Sequence, residues 1–419
     1  MAQLSDDCFA FGGALLPVEE AARLMAGHVP PVAETEAVAL ADAVGRVVAG
    51  DVRSPIALPP FDNSAVDGYA VRHADISPAG ETRLKLAGRV QAGTSAAAPT
   101  LGKGEAIRIF TGAPMPAGAD TIYMQEDVRA DADAVIVPAG LKVGANRRLS
   151  GEDLAQGAVA LPAGRRLGPQ DIALAAAIGL THLEVRRRPR VAVFSTGDEI
   201  VEPGTPLGAT SLYDANRFLL LALLRELGAE AHDLGIIRDD PAMLARAIAS
   251  AAESHDLVLT SGGVSTGEAD HVKAAVEKVG KLVFWRLAIK PGRPVAMGVV
   301  RGAAFAGLPG NPVAVFVTFV HVVRPLLLRL SGADVVPIAA LPVRAAFKYR
   351  KKKGRREYVR VGLRRAADGA IEAVKHPQEG AGVLTSLTET DGLAELPEDR
   401  VEVELGSTVG FLSYATLVG

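Results

Sequence analysis

Cysteine is almost absent from this chain: Cys8 stands alone among 419 residues. An internal disulfide and a multi-cysteine zinc site are thereby excluded, and a reducing cytoplasmic setting fits. Aromatic residues make up only 5 % against an apolar fraction of 49 %, so the cores must be built mainly from Ala, Val and Leu. No charge of one sign dominates. There are 45 basic and 48 acidic residues, whereas a nucleic-acid-binding protein carries a basic domain or stripe, so no nucleic-acid partner is expected. No uninterrupted apolar run reaches the ~20 residues that cross a bilayer, so no membrane is expected. The start, MAQLSDDCFAFGG, carries acids and does not read as a secretory signal. Three signatures are missing: G-x-x-x-x-G-K-[ST], G-x-G-x-x-G after a strand, and H-E-x-x-H. Their absence argues against a P-loop enzyme, a dinucleotide-binding fingerprint and a zincin. No repeat and no low-complexity segment is present.

What is there has a clear order. The length suggests about three domains at ~150 residues each, with four possible. PVEEAARLMAGHV (17–29) places Pro and then acids ahead of helically spaced apolar residues, which predicts a helix. Residues 56–150 are rich in Gly, Pro and short alternating runs, which predicts a β-rich module. GPQDIALAAAIGL (168–180) is helical again, so the β module reads as an insertion into a helical unit. From about residue 190 strand and helix alternate: RVAVFSTGDE, DANRFLLLALLRELGA, HDLGIIRDDP, PAMLARAIASAAE, DLVLTSGGVSTGEAD and HVKAAVEKVGK. AAFAGLPGNP then leads into the helix VAVFVTFVHVVRPLLLRL. This alternation predicts a parallel sheet with helices on both faces. The last 85 or so residues turn β-rich again.

In an open parallel sheet, ligands bind beyond the carboxyl ends of the strands. Three turns fall there: Ser195-Thr196-Gly197-Asp198-Glu199, Ser261-Gly262-Gly263-Val264-Ser265 and Gly307-Leu308-Pro309-Gly310-Asn311-Pro312. Their glycines expose backbone N–H groups, and such loops hold phosphate-like anions. The bland alternative is that Gly and Pro merely end the strands. Asp198, Glu199, Asp239, Asp240, Glu268 and Asp270 lie beside these loops. Carboxylates at the edge of an anion site suit a phosphate bridged by Mg²⁺. Helix capping is the alternative, and Asp214 before ANRFLLL reads as a cap. In IKPGRP, Lys290 and Arg293 are presented between prolines, which suits an oxyanion as well as a plain hairpin. The basic run KYRKKKGRREYVR (348–360) reads first as a solvated face, yet it can supply arginine to an anion. Gly263-Val264-Ser265-Thr266-Gly267 fits the nucleophile elbow G-x-S-x-G and keeps a serine hydrolase as a second reading. That reading needs a downstream histidine. Only His271, His321 and His376 follow, and His321 sits in an apolar stripe.

Eight collinear segments then resemble one family: PPFDNSAVDGYAVRHAD, IRIFTGAPMPAGADTIYMQED, FSTGDEI, YDANR, LGIIRDDP, SGGVSTGEADHVK, AIKPGRP and GLPGNPVAVFVTF. Together they resemble the molybdopterin molybdenumtransferases of molybdenum cofactor synthesis, relatives of the gephyrin E domain. The resemblance implies a multidomain α/β plus β architecture in an elongated homodimer. Its parts would be a helical linker region (15–55 and 151–188), an inserted β-rich module (56–150), a three-layer α/β molybdopterin-binding domain (189–332) and a C-terminal β-barrel (333–419). It implies adenylylated molybdopterin and molybdate as substrates, AMP as a product, Mg²⁺ as an aid, and sites built across the dimer interface. The adenylyltransferase that makes the substrate and the acceptor proteins of the cofactor would be partners.

Matched residue by residue, the resemblance makes Asp67, Thr111, Asp153, Glu199, Asp239 and Asp270 functional. Of these, Glu199, Asp239 and Asp270 would serve the metal. The resemblance makes Lys290, Pro309, Pro312 and Arg360 substrate-binding, and the loop reading above adds Ser195, Thr196, Gly197, Ser261, Gly262, Gly263, Ser265 and Arg293. Asp62 is expected to hold its turn through a local Asx-type bond. Two departures stand out: Ala381 in GAGVLTS replaces a common serine, and Arg293 stands where lysine is frequent. A gephyrin-like scaffold role finds little in the chain to support it, and a preference for tungstate over molybdate is open.

Overall fold

The computed structural model describes residues 15–93, 99–264 and 271–419. The helix Val18–His28 opens the described chain, with Pro17 ahead of it and Glu19 and Glu20 in its first turn. Its buried face, Val18, Ala21 and Met25, packs against the long helical stretch ending at Leu330 rather than forming a separate helical unit. The two segments that flank the β module pair with each other. Thr35–Ala39 runs antiparallel to His182–Arg186, and Val52–Arg53 to Val159–Leu161. The helix Pro169–Ala177 covers this stem, through the core of Val48, Leu161, Leu167, Ala175, Leu183 and Val185. The linker thus holds β ladders as well as helices, because TEAVA and HLEVR alternate with a period of two.

Between the two halves of the stem lies a six-stranded sheet, in the spatial order Thr121–Met124, Gly68–Val71, Glu105–Ile109, Thr82–Val90, Ala134–Val137, Arg129–Asp131. Successive residues face opposite sides, so Tyr69 and Val71 enter one small core while Ala70 enters the other.

The α/β domain has a second six-stranded sheet, ordered Glu230–Ile237, Arg190–Thr196, Leu257–Ser261, Ala303–Leu308, Pro294–Val300, Lys281–Arg286. The first four strands are parallel. The last two are antiparallel, which the alternation pattern alone did not reveal. The reason is the two-residue turn Arg301-Gly302, both at positive φ, which can join only antiparallel neighbours. Val191, Val193, Leu257 and Leu259 face the helices Asn216–Glu226 and Pro312–Thr318 and their neighbours, while Ala192, Phe194 and Val258 face Pro241–Ala251 and His271–Val279. Three layers result. The stretch Pro312–Leu330 is long and apolar enough to cross a membrane, but 78 % of that stretch is buried inside the protein, as in a core helix.

At the C-terminal end, Arg356–Arg365 pairs with both Ile371–Lys375 and Gly392–Leu396. Leu341–Ala345 and Thr408–Ser413 complete the circuit into a closed five-stranded barrel. Ile289–Lys290 adds in parallel to Arg356 and Glu357, and Tyr358, Leu393 and Leu412 join the core of the α/β domain. Barrel and α/β domain therefore share apolar packing, and a groove runs along their junction.

Candidate active site

The predicted residues fall into two groups. The larger lines the groove, which has two adjoining cavities. One, of about 460 Å³, lies at the carboxyl edge of the parallel strands and is walled by Ser195, Thr196, Gly197, Glu199, Asp239 and Ser261-Gly262-Gly263. The other, of about 270 Å³, lies between IKPGRP and the barrel and is walled by Lys290, Arg293, Arg360, Lys375 and His376. Pro294, Pro309 and Asn311 line both.

Within the first cavity the loops are tied to one another. Ser195 Oγ donates to Asp214 Oδ1 (3.0 Å), and Ser261 Oγ donates to the Pro309 carbonyl (3.1 Å). Asn216 Nδ2 reaches Ser261 Oγ (2.9 Å) and the Gly310 carbonyl (2.7 Å). The two serine hydroxyls thus hold loops together, leaving the backbone to face a ligand. Asn216, in YDANR, is the residue that sequence reasoning passed over. Asp214 caps as expected, accepting from the Arg217 N–H (3.2 Å), and also pairs with the buried Arg217 guanidinium. Asp240 is a helix cap outright, accepting from the N–H groups of Ala242 and Met243. Pro312 opens the helix Pro312–Thr318 and lies outside the lining of both cavities.

Asp239 differs from these. Burial pushes its carboxyl up from the usual range. The neighbouring Asp198 and Glu199 charges push the same way, against His271 and a hydrogen bond from Thr196. A cation would relieve this crowding, and two carboxylates plus phosphate oxygens make a donor set that suits Mg²⁺. Among the described residues no group of three or more His, Cys, Asp or Glu is placed to hold a metal. Asp270 and Ser265, named above from the sequence, lie outside the described residues.

The second cavity is cationic. Arg360 is 5 % exposed, and burial lowers its pKa from the usual arginine value. Its Nε donates to Ser386 Oγ (3.0 Å), and Nη2 donates to the carbonyls of Gln378 and Gly380 (3.0 Å each). Nη1 has no protein partner among the described residues. Lys290 Nζ donates to Tyr349 Oη (3.0 Å) and pairs with the buried Glu357 (3.3 Å). Burial pulls the Lys290 ammonium down, but Tyr349 and Glu357 outweigh it and the net shift is upward. Lys290 therefore stays charged. Tyr349, Glu357 and Ser386 were not foreseen; the only hints were that Tyr349 and Glu357 fall in the basic run with Arg360 and that Ser386 ends GAGVLTS. Ala381 lines this cavity, and its carbonyl accepts from the Val313 N–H (3.0 Å).

The smaller group lies in the β module. Asp67 Oδ1 accepts from both the Thr111 N–H and the Thr111 hydroxyl (2.8 Å each). These bonds hold the Asp67 carboxyl below its usual pKa, the backbone N–H contributing most. Gly68 follows because a Cβ there would sit 1.9 Å from the Tyr123 carbonyl oxygen, so the turn at Asp67 can pass only through glycine. Asp62 corrects an expectation. It makes no local Asx bond but accepts from the Ser150 N–H (2.7 Å) and pairs with Arg147, anchoring the loop to a distant segment. Asp153 is exposed on the neighbouring turn, its N–H bonded to the Leu58 carbonyl (3.1 Å). No described residue of 56–150 lines the groove of the same chain.

Of the three downstream histidines, His271 opens the helix His271–Val279 near Asp239, and the other two offer the hydrolase reading little. His321 is packed inside the Phe319–Val323 segment, as expected, and burial lowers its pKa to about 3. His376 is bonded to Glu389 (3.0 Å) and the Gln378 carbonyl (3.2 Å).

A three-layer α/β domain joined to a barrel, with an inserted β module and a cationic groove, defines a multidomain α/β plus β protein. Residues 16–179 match the MoeA N-terminal region (domain I and II), 192–329 a probable molybdopterin binding domain, and 342–414 the MoeA C-terminal region (domain IV). The chain is 38 % identical over 410 residues to the molybdopterin molybdenumtransferase of Haemophilus influenzae, covering 97 % of this chain and 100 % of that one. It is 36 % identical to the enzyme of that name from Nostoc, over 94 % of this chain and 92 % of that one. The crystal structure of the molybdopterin biosynthesis MoeA protein of Pyrococcus horikoshii OT3 superposes with a TM-score of 0.82 at 29 % identity, covering 96 % of this chain and 100 % of that one. The chain belongs to the molybdopterin molybdenumtransferase family, a family of transferase enzymes of molybdenum cofactor biosynthesis.

Proposed function

We propose that this enzyme transfers molybdenum from molybdate to adenylylated molybdopterin and releases AMP. The observation that carries the reading is the buried Arg360, held on three sides with Nη1 left over, facing a cavity that adjoins a larger one edged by glycine loops. The larger cavity suits the pterin and its pyrophosphate link, held by backbone N–H groups of the loops at Thr196, Gly197, Gly262 and Gly263. The smaller suits a tetrahedral dianion among Arg360, Lys290 and Arg293. A planar guanidinium at Arg293, instead of an ammonium, would change how that oxyanion is gripped. Mg²⁺ would sit at Glu199 and Asp239, with Asp270 as a further candidate, and would supply neutralisation of phosphate charge. The same acids would orient the attacking water. Rate enhancement then comes from positioning and charge neutralisation, with no covalent protein intermediate. Asp67, Thr111 and Asp153 would reach the groove of a second copy in a homodimer. We place the reaction in the cytoplasm, with the adenylyltransferase and the acceptor enzymes as transient partners.

Incubation with adenylylated molybdopterin, Mg²⁺ and either molybdate or tungstate tests the reading. AMP release coupled to metal incorporation is expected with molybdate. AMP release without metal transfer, or none at all, would overturn it. Ser265→Ala should stay active, whereas a serine hydrolase would lose all activity.

A further inference from the structure

Away from the groove, a cleft of about 610 Å³ opens between the stem and the α/β domain, lined by Val44, Arg166, Leu167, Arg188, Arg225 and Glu226 together with several glycines. Three guanidiniums line it together with the Glu226 carboxylate and the C-terminal residue Gly419. In the adjoining recess Arg46 is paired with Glu36, and Arg187 with Glu34 and Asp256. The simplest explanation for such arginines is that they cap the end of the helix Asn216–Glu226. They do so in part: Arg166 Nη2 donates to the Glu226 carbonyl (3.3 Å) and Arg188 Nη1 to the Gly228 carbonyl (2.9 Å). Arg166 Nη1 is also taken, by the Gly419 carbonyl oxygen (2.5 Å), yet donors remain. Arg166 Nε is buried with no partner, and Arg225 is exposed with no hydrogen bond or ion pair of its own among the described residues. Gly228 has φ +82°, and a Cβ there would lie 3.3 Å from Arg188 Nη1, so glycine leaves room for the guanidinium. Burial lowers the pKa of Arg166 and Arg188, and Arg46 pushes Arg188 the same way, while Glu226 opposes the shift on Arg166 and Glu36 that on Arg188.

We propose that this cleft is a second oxyanion site, which takes a phosphate dianion, free or as a small phosphate ester. Arg166, Arg188 and Arg225 grip the phosphate. Half-exposed Val44 and the edge of Leu167 offer an apolar shelf for the body of an ester. The proposal stands independently of the reaction assigned to the groove.

Titration calorimetry and thermal melts of the full chain with inorganic phosphate or AMP test it, at ionic strength matched with chloride. Arg360→Ala removes the guanidinium of the groove. In that background phosphate or AMP should still bind and raise the Tm, and adding Arg225→Glu should weaken binding by about tenfold or more, as expected for loss and reversal of a contact charge. Arg225 is exposed, so this variant keeps its fold, as the melt without ligand will check. Arg188→Ala should act in the same direction. AMP binding more tightly than inorganic phosphate identifies an ester ligand, and the reverse identifies the free oxyanion. If chloride stabilises as much as phosphate, or if Arg225→Glu leaves phosphate affinity unchanged in the Arg360→Ala background, the cleft holds only counterions and the proposal is wrong.

Discussion

Asp67 and Asp62 stand five residues apart in one loop, and their hydrogen bonds separate their roles. Both are held ionised, Asp67 chiefly by the Thr111 N–H and Asp62 chiefly by the Ser150 N–H. Asp62 spends its oxygens on Ser150 and on Arg147, so it anchors the loop. Asp67 uses one oxygen for Thr111, and no hydrogen bond to its other oxygen is found among the described residues. Asp67→Asn should therefore melt like the parent yet lose roughly two orders of magnitude or more in AMP release and molybdenum incorporation, the scale of a lost charge-stabilising or acid–base group. Asp62→Asn should show the opposite balance, a lower Tm with most of the activity kept. Near-parent activity in Asp67→Asn would make that residue a turn former only. Asp239 gives a third residue-scale expectation. Its folded pKa is raised, so the stability linked to it is fully present below the unfolded value and is lost as pH rises through the folded one. At neutral pH the ionised side chain is therefore a burden on the free protein. Asp239→Asn should raise the Tm without Mg²⁺ and shrink the further rise that Mg²⁺ gives the parent. A lower Tm without Mg²⁺, or an undiminished response to Mg²⁺, would count against a cation role.

Among the elements, the stretch Pro312–Leu330 shows what sequence patterning can and cannot reveal. Its continuous apolar character announced a buried helix, and the strand–helix alternation around it announced the layered sheet. Local pattern could not reveal the antiparallel edge, because a hairpin closed at Arg301-Gly302 and a crossover strand carry similar apolar runs. Nor could it separate Ser195 and Ser261, which brace loops, from Thr196, which faces Asp239, since that depends on which neighbour is within reach. Motifs located the groove; the roles of Tyr349 and Glu357 emerged from the way the barrel strand lies against IKPGRP, and that of Ser386 from its bond to Arg360. The same long stretch carries His321, stacked on Tyr358 with ring centroids 3.9 Å apart and with its Nε2 unpartnered. Burial lowers the His321 pKa to about 3, aided by Arg356 and Arg324, while Glu19 and Glu395 pair with Arg356 at the edge of the same recess. The unfolded chain takes up this proton near pH 6.5, so stability is present above that value and is lost as pH falls toward 3. The loss should reach on the order of 5 kcal/mol at the acid end. His321→Leu should flatten this part of the pH–stability curve in chemical denaturation, and an unchanged slope would show that other groups govern acid unfolding.

For the whole molecule, the decisive fact is that Asp67 and Thr111 belong to the inserted β module, while every described residue lining the groove lies outside it. The module is joined to the rest through the two-part stem, whose ladders Thr35–Ala39 with His182–Arg186 and Val52–Arg53 with Val159–Leu161 hold it as a projecting unit. If the acids of the module act on substrate in the groove, the groove they serve belongs to a second copy, and a two-fold dimer supplies two such composite sites. This reading predicts complementation. Asp67→Asn should be inactive because both of its sites lack the acid, and Arg360→Ala because both lack the guanidinium. Mixed under conditions that exchange subunits, the two form heterodimers in which one site carries both defects and the other carries neither. Random pairing makes half of the dimers mixed, each with one intact site in two, so activity should recover to about a quarter of the parent value. Sedimentation should find the parent as a dimer, and activity should fall on dilution into the monomer range. A mixture no more active than the sum of its two parents, with subunit exchange verified by mass labelling, would mean that Asp67 and Arg360 serve a site within one chain, and the shared-site reading would fail.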